Sequence, residues 1–284
     1  MSRFASVLLI TLLTSVAWAE DTKKPDVLKE LVTEAEIPRG GDFMGFGFDA
    51  LWIMSGTRLA RIEAIDNRII DIPLKGTVGR YRGIAIGENA VWVPDVGADL
   101  IFKIDPRSNG VVATIHSQML ASEGSIGVGE GSLWVVTDQE SRATLTRYSV
   151  QDGAMQGTIP LPSEGAGVIV DYGSVWVTAP MKGELYRVDP KSNAIVAVTR
   201  LHSQPRFVTS AEGSIWVLNQ GDGTIQRIDG MTGELKATIE TGFVGGGGDL
   251  AAGGGYVWAL PRAIPVARID PKTNSIAKYS RRLR

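Results

Sequence analysis

Two arginines of this chain lie at equivalent positions of a repeated pattern, and each has an aromatic neighbour. Arg82 and Arg206 are both found ten residues before a tryptophan, with Tyr81 preceding the first arginine and Phe207 following the second. A guanidinium group is planar and donates two parallel hydrogen bonds to a carboxylate or a phosphate. The pair therefore predicts a binding site for a small anionic ligand, provided that the fold brings both arginines to one surface.

Acidic and amide side chains accompany the arginines in the repeat. Asp95 and Asn219 each lie three residues after the tryptophan of the two units that carry the arginines. Asp42 and Asp249 lie ten and nine residues before the tryptophans of the first and last units, where their carboxylates would attract a cation. We therefore predict eight ligand-binding residues, which are Arg82, Arg206, Tyr81, Phe207, Asp95, Asn219, Asp42 and Asp249.

Other site chemistries find little support in the sequence. The chain has no cysteine, which excludes disulfides and thiolate ligands. Its two histidines, His116 and His202, are too far apart in the repeat order to form a metal-binding cluster. The glycine run at 245–248 lacks the helix and the Lys-Ser/Thr pair of a phosphate loop. We expect no metal and no cofactor, and no pairing of a nucleophile with a base marks a catalytic residue.

The charge of the chain argues against nucleic acid as a partner. Its 29 basic and 31 acidic residues give a net charge of −2, and no long basic run interrupts the sequence. Proteins that bind DNA or RNA carry a concentrated basic surface. The expected partner is a small anionic molecule or another protein.

The repeat that positions these residues is defined by six tryptophans at intervals of 40–42 residues. Before each one comes an apolar run that ends in turn residues, and after it comes a segment with one basic residue and a tight turn, such as Asp105-Pro106-Arg107-Ser108-Asn109. This pattern predicts four short antiparallel strands per unit, named A to D. The tryptophans are Trp52, Trp92, Trp134, Trp176, Trp216 and Trp258.

Four antiparallel strands in about 40–45 residues have the size of a β-propeller blade. One such sheet leaves both faces exposed, and stacking the units around an axis buries each face against a neighbour. The sequence therefore predicts an all-β, six-bladed propeller over residues 31–284. The tryptophans are predicted to fill the space between blades. The basic residue of strand C is predicted to pack between blades or face solvent rather than bind a ligand.

The segment before the first complete unit is too short for a seventh blade. Residues 31–38 have the pattern of one strand, and we expect this N-terminal strand to close the ring by pairing with the last blade. Without such closure the ring would present unpaired strand edges. Residues 20–30 are polar and are expected to form a flexible leader.

The first 19 residues are predicted to be a signal peptide. Arg3 provides a positive start, residues 4–18 are largely apolar, and Ala17-Trp18-Ala19 matches a cleavage site. The alternative is an uncleaved membrane anchor, for which the segment is short. We expect export to the periplasm or the exterior, with no membrane span after signal removal.

In a six-membered ring, blades 2 and 5 lie opposite each other. Arg82 and Arg206 would then face each other at one mouth of the central channel, which the D–A and B–C connections build. An alternative stays open, in which each arginine pairs with a neighbouring acid, as Arg82 would with Asp95, and simply closes the channel.

The phrases at 268–274 and 228–239 resemble YVTN-type propeller repeats, and the whole frame resembles the streptogramin (virginiamycin B) lyase-like propellers. That resemblance implies a propeller fold and a lyase activity. In the lyase family that this frame resembles, a Pro-His pair precedes strand A, and glutamate lies three residues after the strand-B tryptophan. Here Pro205-Arg206 occupies the first position, and none of the six residues at the second is glutamate.

Three interpretations of the function follow from the sequence. The favoured one is an exported scaffold that binds a small anionic ligand or an envelope protein at the channel mouth. The second is an enzyme, a streptogramin-lyase-like lyase or a hydrolase, with a polar site at the same mouth. The third is a ring that caps a larger envelope complex.

Overall fold

The computed structural model describes residues 43–55, 58–74, 83–118, 125–139, 142–242, 248–261 and 266–280. These residues form twenty-four strands in six four-stranded antiparallel sheets, each built from strands consecutive in the chain. The predicted six-bladed β-propeller is confirmed. Nothing in the described residues is helical, and no helix there is long and apolar enough to cross a membrane.

The strands of each blade run A to D from the inside outward. Blades 1 to 3 contain β1 (Phe43–Gly47), β2 (Ala50–Ser55), β3 (Arg58–Glu63) and β4 (Ile69–Pro73); β5 (Ala85–Gly87), β6 (Ala90–Asp95), β7 (Leu100–Asp105) and β8 (Gly110–His116); and β9 (Ile126–Gly129), β10 (Ser132–Gln139), β11 (Arg142–Ser149) and β12 (Met155–Pro160). Blades 4 to 6 contain β13 (Val168–Asp171), β14 (Ser174–Ala179), β15 (Glu184–Asp189) and β16 (Ala194–Arg200); β17 (Pro205–Ala211), β18 (Ser214–Asn219), β19 (Thr224–Asp229) and β20 (Leu235–Glu240); and β21 (Gly248–Gly253), β22 (Tyr256–Pro261), β23 (Val266–Asp270) and β24 (Ser275–Ser280).

Each blade begins with a two-residue hairpin between strands A and B. Both residues of every such turn have positive φ, for example 51° at Glu88 and 59° at Asn89 in blade 2. This backbone twists in the same sense as the flanking strands, which keeps the two strands paired. The turn sets the register of Gly87 opposite Ala90 and so points the strand-B tryptophan at the next blade.

The tryptophans fill the space between blades, as predicted. Those of blades 1 to 5 have no exposed surface, and each belongs to a cluster that includes strands B and C of the next blade. Every indole N–H also donates to the carbonyl five residues earlier, at 3.0–3.3 Å. The buried donor is therefore satisfied, and the ring edge is free for packing.

The basic residue of strand C forms what we call the arginine bridge to the next blade. The guanidinium of Arg147 lies 4.9 Å from the Trp134 ring centroid, and its Nη1 donates to Pro190 O (2.6 Å) and Asn193 Oδ1 (3.0 Å) in the C–D turn of blade 4. Arg61 and Arg227 make the same contacts with their own neighbours. The predicted packing role of this residue is confirmed.

Innermost strands of consecutive blades contact each other from β1 through β5, β9, β13 and β17 to β21. These strands surround the axis of the ring. The predicted closing strand at 31–38, the leader at 20–30 and the signal peptide at 1–19 lie outside the described residues. All four strands of blade 6 come from residues 248–280.

Candidate functional site

All strand pairs are antiparallel, so the B–C and D–A connections lie at one end of each blade. We call that end the mouth face. In blade 5 it is built by two connections, residues 201–204 before β17 and residues 220–223 after β18. Together with adjoining strand residues they form what we call the blade-5 cluster: His202, Gln204, Arg206, Asn219, Asp222, Thr224 and Gln226.

Backbone hydrogen bonds hold the two connections of blade 5 against each other. The N–H groups of Gln220 and Gly221 donate to the carbonyls of Gln204 and Ser203, both at 2.9 Å. Any side chain at Gly221 would place its Cβ only 2.2 Å from Ser203 Oγ. Glycine at 221 is therefore required for this close approach, which brings His202 over the B–C connection.

His202 and Asp222 form a hydrogen-bonded pair at the surface of the cluster. Nδ1 of His202 lies 3.0 Å from Asp222 Oδ2 and 3.2 Å from Thr224 Oγ1. The two side chains are 41% and 37% exposed, so the imidazole remains accessible. With Nδ1 held by the carboxylate, Nε2 is the ring nitrogen available to another molecule.

The pKa of Asp222 is lowered from its ordinary value. Burial alone would raise it, but hydrogen bonds from the Thr224 hydroxyl and N–H and from the Ser203 backbone, together with the adjacent His202, outweigh that effect. The carboxylate is consequently ionised at neutral pH. It is able to orient the imidazole by accepting a hydrogen bond from Nδ1.

A buried network of amides and hydroxyls lies beneath this pair. Nδ2 of Asn219 donates to Thr224 Oγ1 and to Gln226 Oε1, both at 3.0 Å, and Gln226 Oε1 also accepts from the His202 N–H at 2.8 Å. Asn219 has no exposed surface, and its Oδ1 accepts no hydrogen bond. A buried polar atom without a partner costs free energy, which is a common feature of binding sites.

Arg206 lies in a β-bulge at the start of β17. Pro205 pairs with Asn219 and Phe207 with Leu218, so Arg206 is the extra residue, and this is the one register shift among the described A–B strand pairs. The Arg206 carbonyl accepts from Thr178 Oγ1 of blade 4 at 2.9 Å. Bulges redirect side chains and are frequent beside active sites.

Gln204, two residues before Arg206, has an unusual backbone conformation. Gln204 has a φ of 56°, a left-handed conformation that costs a non-glycine residue roughly 1–2 kcal/mol. It is the one such non-glycine residue in a described D–A connection; the others lie in turns. Strained backbone of this kind is concentrated at functional sites.

The structure brings three of the eight predicted residues together in blade 5, and they differ in exposure. Arg206 is half-buried, and Asn219 is fully buried. Phe207 is 8% exposed and packs in the core with Trp216 and Leu218. The cluster at this mouth is therefore polar around Arg206 and Asn219, with the Phe207 ring turned inward.

The remaining predicted residues lie elsewhere or outside the described residues. Asp95 has no exposed surface, and its Oδ1 accepts from the Gly97 N–H at 3.1 Å in blade 2. Asp249 is exposed on β21, and its Oδ1 accepts from the Leu250 N–H at 2.7 Å. Arg82, Tyr81 and Asp42 lie outside the described residues.

His202 and Asp222 were not among the site residues predicted from the sequence. They are twenty residues apart and occupy different connections, so no local motif unites them. The available signal was the mouth position of both connections in the repeat. No group of three or more histidine, aspartate or glutamate residues that would hold a metal occurs in the described part of the chain.

A second concave region opens at the other end of blades 1 and 2. This cleft has a volume of about 590 Å³, and Arg61, Glu63 and Arg68 are among its lining residues. Glu63 forms ion pairs with both arginines, at 3.2 and 3.4 Å. Both guanidinium groups in this cleft therefore already have a carboxylate partner, whereas Arg206 at the mouth of blade 5 has no ion-pair partner among the described residues.

Comparisons with known proteins identify the fold. No protein-family profile and no curated protein sequence matches the chain. Among solved structures, a streptogramin B lyase has a TM-score of 0.72 and 16% identity, with 86% of this chain and 83% of that one covered. A virginiamycin B lyase from Staphylococcus aureus has a TM-score of 0.71 and 18% identity, with coverage of 85% and 84%.

A third similar structure is a catalytically inactive histidine-to-alanine variant of the Staphylococcus aureus lyase with quinupristin, at a TM-score of 0.69, 18% identity and coverage of 84% and 83%. These similarities confirm the predicted streptogramin lyase-like β-propeller. At such identities they establish the shared fold.

Proposed function

We propose that the protein is an exported β-propeller that binds a small anionic molecule at the mouth face, with the blade-5 cluster as its site. The arrangement of Arg206 carries this proposal. Arg206 is half-buried, yet its guanidinium makes no hydrogen bond and no ion pair with the described residues. A partly desolvated cation without a partner is stabilised by an incoming carboxylate or phosphate.

The neighbouring groups suit the remainder of such a ligand. The accessible Nε2 of His202 would exchange one hydrogen bond with a hydroxyl or carbonyl group. The backbone hydrogen bonds from Gln220 and Gly221 hold the connection before β17 in place, which reduces the entropic cost of binding. A small molecule with one acidic group and one further polar group therefore fits the site best.

A thermal-shift screen with small carboxylates and phosphate esters tests this function. We expect at least one compound to raise the Tm of the wild-type protein, with the shift lost in Arg206→Ala. Arg200→Ala is the matched control because Arg200 is an exposed arginine at the mouth end of β16. The proposal is refuted if every compound that stabilises the wild type stabilises Arg206→Ala equally.

A second candidate function is catalysis by a lyase or hydrolase at the same site. Two observations favour it: the His202–Asp222 pair has the geometry of an oriented general base, and a similar fold is that of a lyase inactivated by replacement of a histidine. Quinupristin and each compound from the screen would be incubated with wild-type protein and His202→Ala, and products detected by mass spectrometry. Turnover that His202→Ala retains would exclude the histidine as the base.

Export is part of the proposal and has its own test. The apolar segment at 4–18 and the Ala17-Trp18-Ala19 site support cleavage after residue 19. Edman sequencing of protein recovered from the periplasm or medium of a Gram-negative host is expected to begin at Glu20. A retained Met1 in the membrane fraction would indicate an anchor instead.

A further inference from the structure

The interface between blades 6 and 1 differs from the other five. At those five, the first residue of the C–D turn, directly after strand C, is buried under the preceding blade. Its counterpart in blade 1, Ala64, is exposed. The buried residues are Pro106, Val150, Pro190, Gly230 and Pro271.

The arginine bridge is also missing there. In three bridges the arginine donates to an asparagine Oδ1 in the next C–D turn, and these asparagines have positive φ, from 51° to 56°. Asn67 occupies the same position in blade 1 with a φ of 59°. Neither its side chain nor the guanidinium of Arg268 makes a hydrogen bond with any described residue.

Arg268 has an alternative contact in place of the bridge. Its guanidinium lies 4.4 Å from the ring centroid of Tyr256, whereas the other five strand-C cations lie over the tryptophan of their own blade at 4.9–5.4 Å. Trp258 is half-buried, unlike the five fully buried tryptophans.

Packing near the axis shows the same difference. In blade 1, a Cβ at Gly47 would lie 2.5 Å from Ile86 Cγ2 of blade 2. The corresponding glycine of blade 6, Gly253, has no neighbour within 4 Å of such a Cβ. Phe46, which corresponds to Ile86 and lies on the face toward blade 6, is 68% exposed.

We propose that the interface between blades 6 and 1 opens and closes, and that Arg268 holds the closed form by donating to Asn67 Oδ1 and to the carbonyl of Ala64. The acceptor turn already has the required backbone, and the donor is already at the interface. Closure needs Arg268 to exchange the Tyr256 ring for these two oxygens. Phe46 then covers Gly253 as Ile86 covers Gly47.

Engineered cysteines test this inference cleanly, since the chain has none of its own. The test pair is Phe46→Cys/Gly253→Cys. The matched control is Gly47→Cys/Ile86→Cys, whose Cβ atoms would lie 3.7 Å apart, a distance that suits a disulfide. We expect the control to oxidise at once and the test pair to oxidise completely but more slowly.

The arginine bridge is tested in the background of the cysteine pair. Asn67→Gly is expected to slow disulfide formation about tenfold, the value of one hydrogen bond to a charged group, and Arg268→Ala, which removes both bonds, is expected to slow it more. Glycine occupies this turn position naturally in blades 3 and 5, as Gly153 and Gly233, so its backbone is tolerated. Asn67→Asp is expected to accelerate closure, and Arg147→Ala, in a distant bridge, to leave the rate unchanged.

Three results would overturn the inference. A test pair that never oxidises means that the interface does not close, and one that oxidises as fast as the control means that it does not open. Rates unaffected by Arg268→Ala, Asn67→Gly and Asn67→Asp mean that closure does not use this bridge. Thermal unfolding of each reduced variant establishes that it is folded before the rate is measured.

Discussion

Replacing Arg147 with alanine measures what one arginine bridge contributes to the cohesion of the ring. The substitution removes hydrogen bonds to Ser132 Oγ (2.8 Å), Pro190 O and Asn193 Oδ1, together with the contact to the Trp134 ring. It leaves the Pro190 carbonyl without a donor in a buried position, whereas the Ser132 hydroxyl keeps its bond to a glutamine. The loss is therefore concentrated at the interface between blades 3 and 4.

The expected destabilisation follows from these contacts. Because the guanidinium is half-buried, the bonds to Ser132 and Pro190 are each taken at about 1 kcal/mol, and the cation–π contact adds about 0.5–1 kcal/mol. The free energy of unfolding should fall by about 2–3 kcal/mol. For a domain of this size, that corresponds to a decrease in Tm of roughly 4–12 °C.

Arg147→Lys is the matched control, since blade 2 uses Lys103 to reach the Val150 carbonyl. Lysine keeps the charge and the bond to the Pro190 carbonyl but loses the bonds to Ser132 and Asn193, so about 1 kcal/mol should be lost. Unfolding in urea, monitored by tryptophan fluorescence with an unchanged m-value, gives both numbers. Equal stabilities of Arg147→Ala and the wild type, or equal losses for the alanine and lysine variants, would refute the reasoning.

Three further predictions concern the blade-5 cluster and the turns. Gly221→Ala should lower stability by about 1–3 kcal/mol because its Cβ would lie 2.2 Å from Ser203 Oγ; an unchanged Tm would mean that the two connections separate without cost. Gln204→Gly should raise stability in urea by about 0.5–1 kcal/mol through relief of its left-handed backbone, and a loss would show that the Gln204 side chain is needed. Three acids at the end of strand C have a lowered pKa. The main cause is a hydrogen bond from a backbone N–H of the C–D turn for Asp105 and Asp189, and a hydrogen bond from Lys236 for Asp229. Their stabilisation is complete above the unfolded-state pKa and is lost as pH falls below about 4, so Asp189→Asn should flatten the decline of Tm between pH 4 and 2, and an identical decline would contradict the assignment.

The repeat made most of the fold predictable. Local features mark the strands of each unit: an alternating apolar run, a two-residue turn such as Glu88-Asn89 and, in five of the six units, an acid at the end of strand C. The tryptophan interval then predicts the number of blades, because a unit too thin to bury its own faces must pack on a neighbour. The bridge between strand-C arginines and C–D asparagines was not predicted, because its partners lie more than forty residues apart.

The candidate site was only partly predictable, for a related reason. Arg206 and Asn219 were selected because they break the symmetry of the repeat, and the structure places them in one blade beside a bulge. Asp95 occupies the same repeat position as Asn219 but caps its own turn through Gly97. Repeat position therefore locates a residue on the mouth face without determining its hydrogen-bond partner.

By itself, the sequence determined the module, the number of modules and the end of the ring at which the variable residues lie, because hydrophobic periodicity and turn chemistry act over a few neighbouring residues. Only the tertiary structure decided that His202 and Asp222 meet, that Arg206 has no side-chain partner among the described residues, and that Arg268 contacts Tyr256 instead of reaching blade 1. Those outcomes depend on how closely separate connections and separate blades approach. That distance is set by the packing of the whole ring and by no local stretch of the chain.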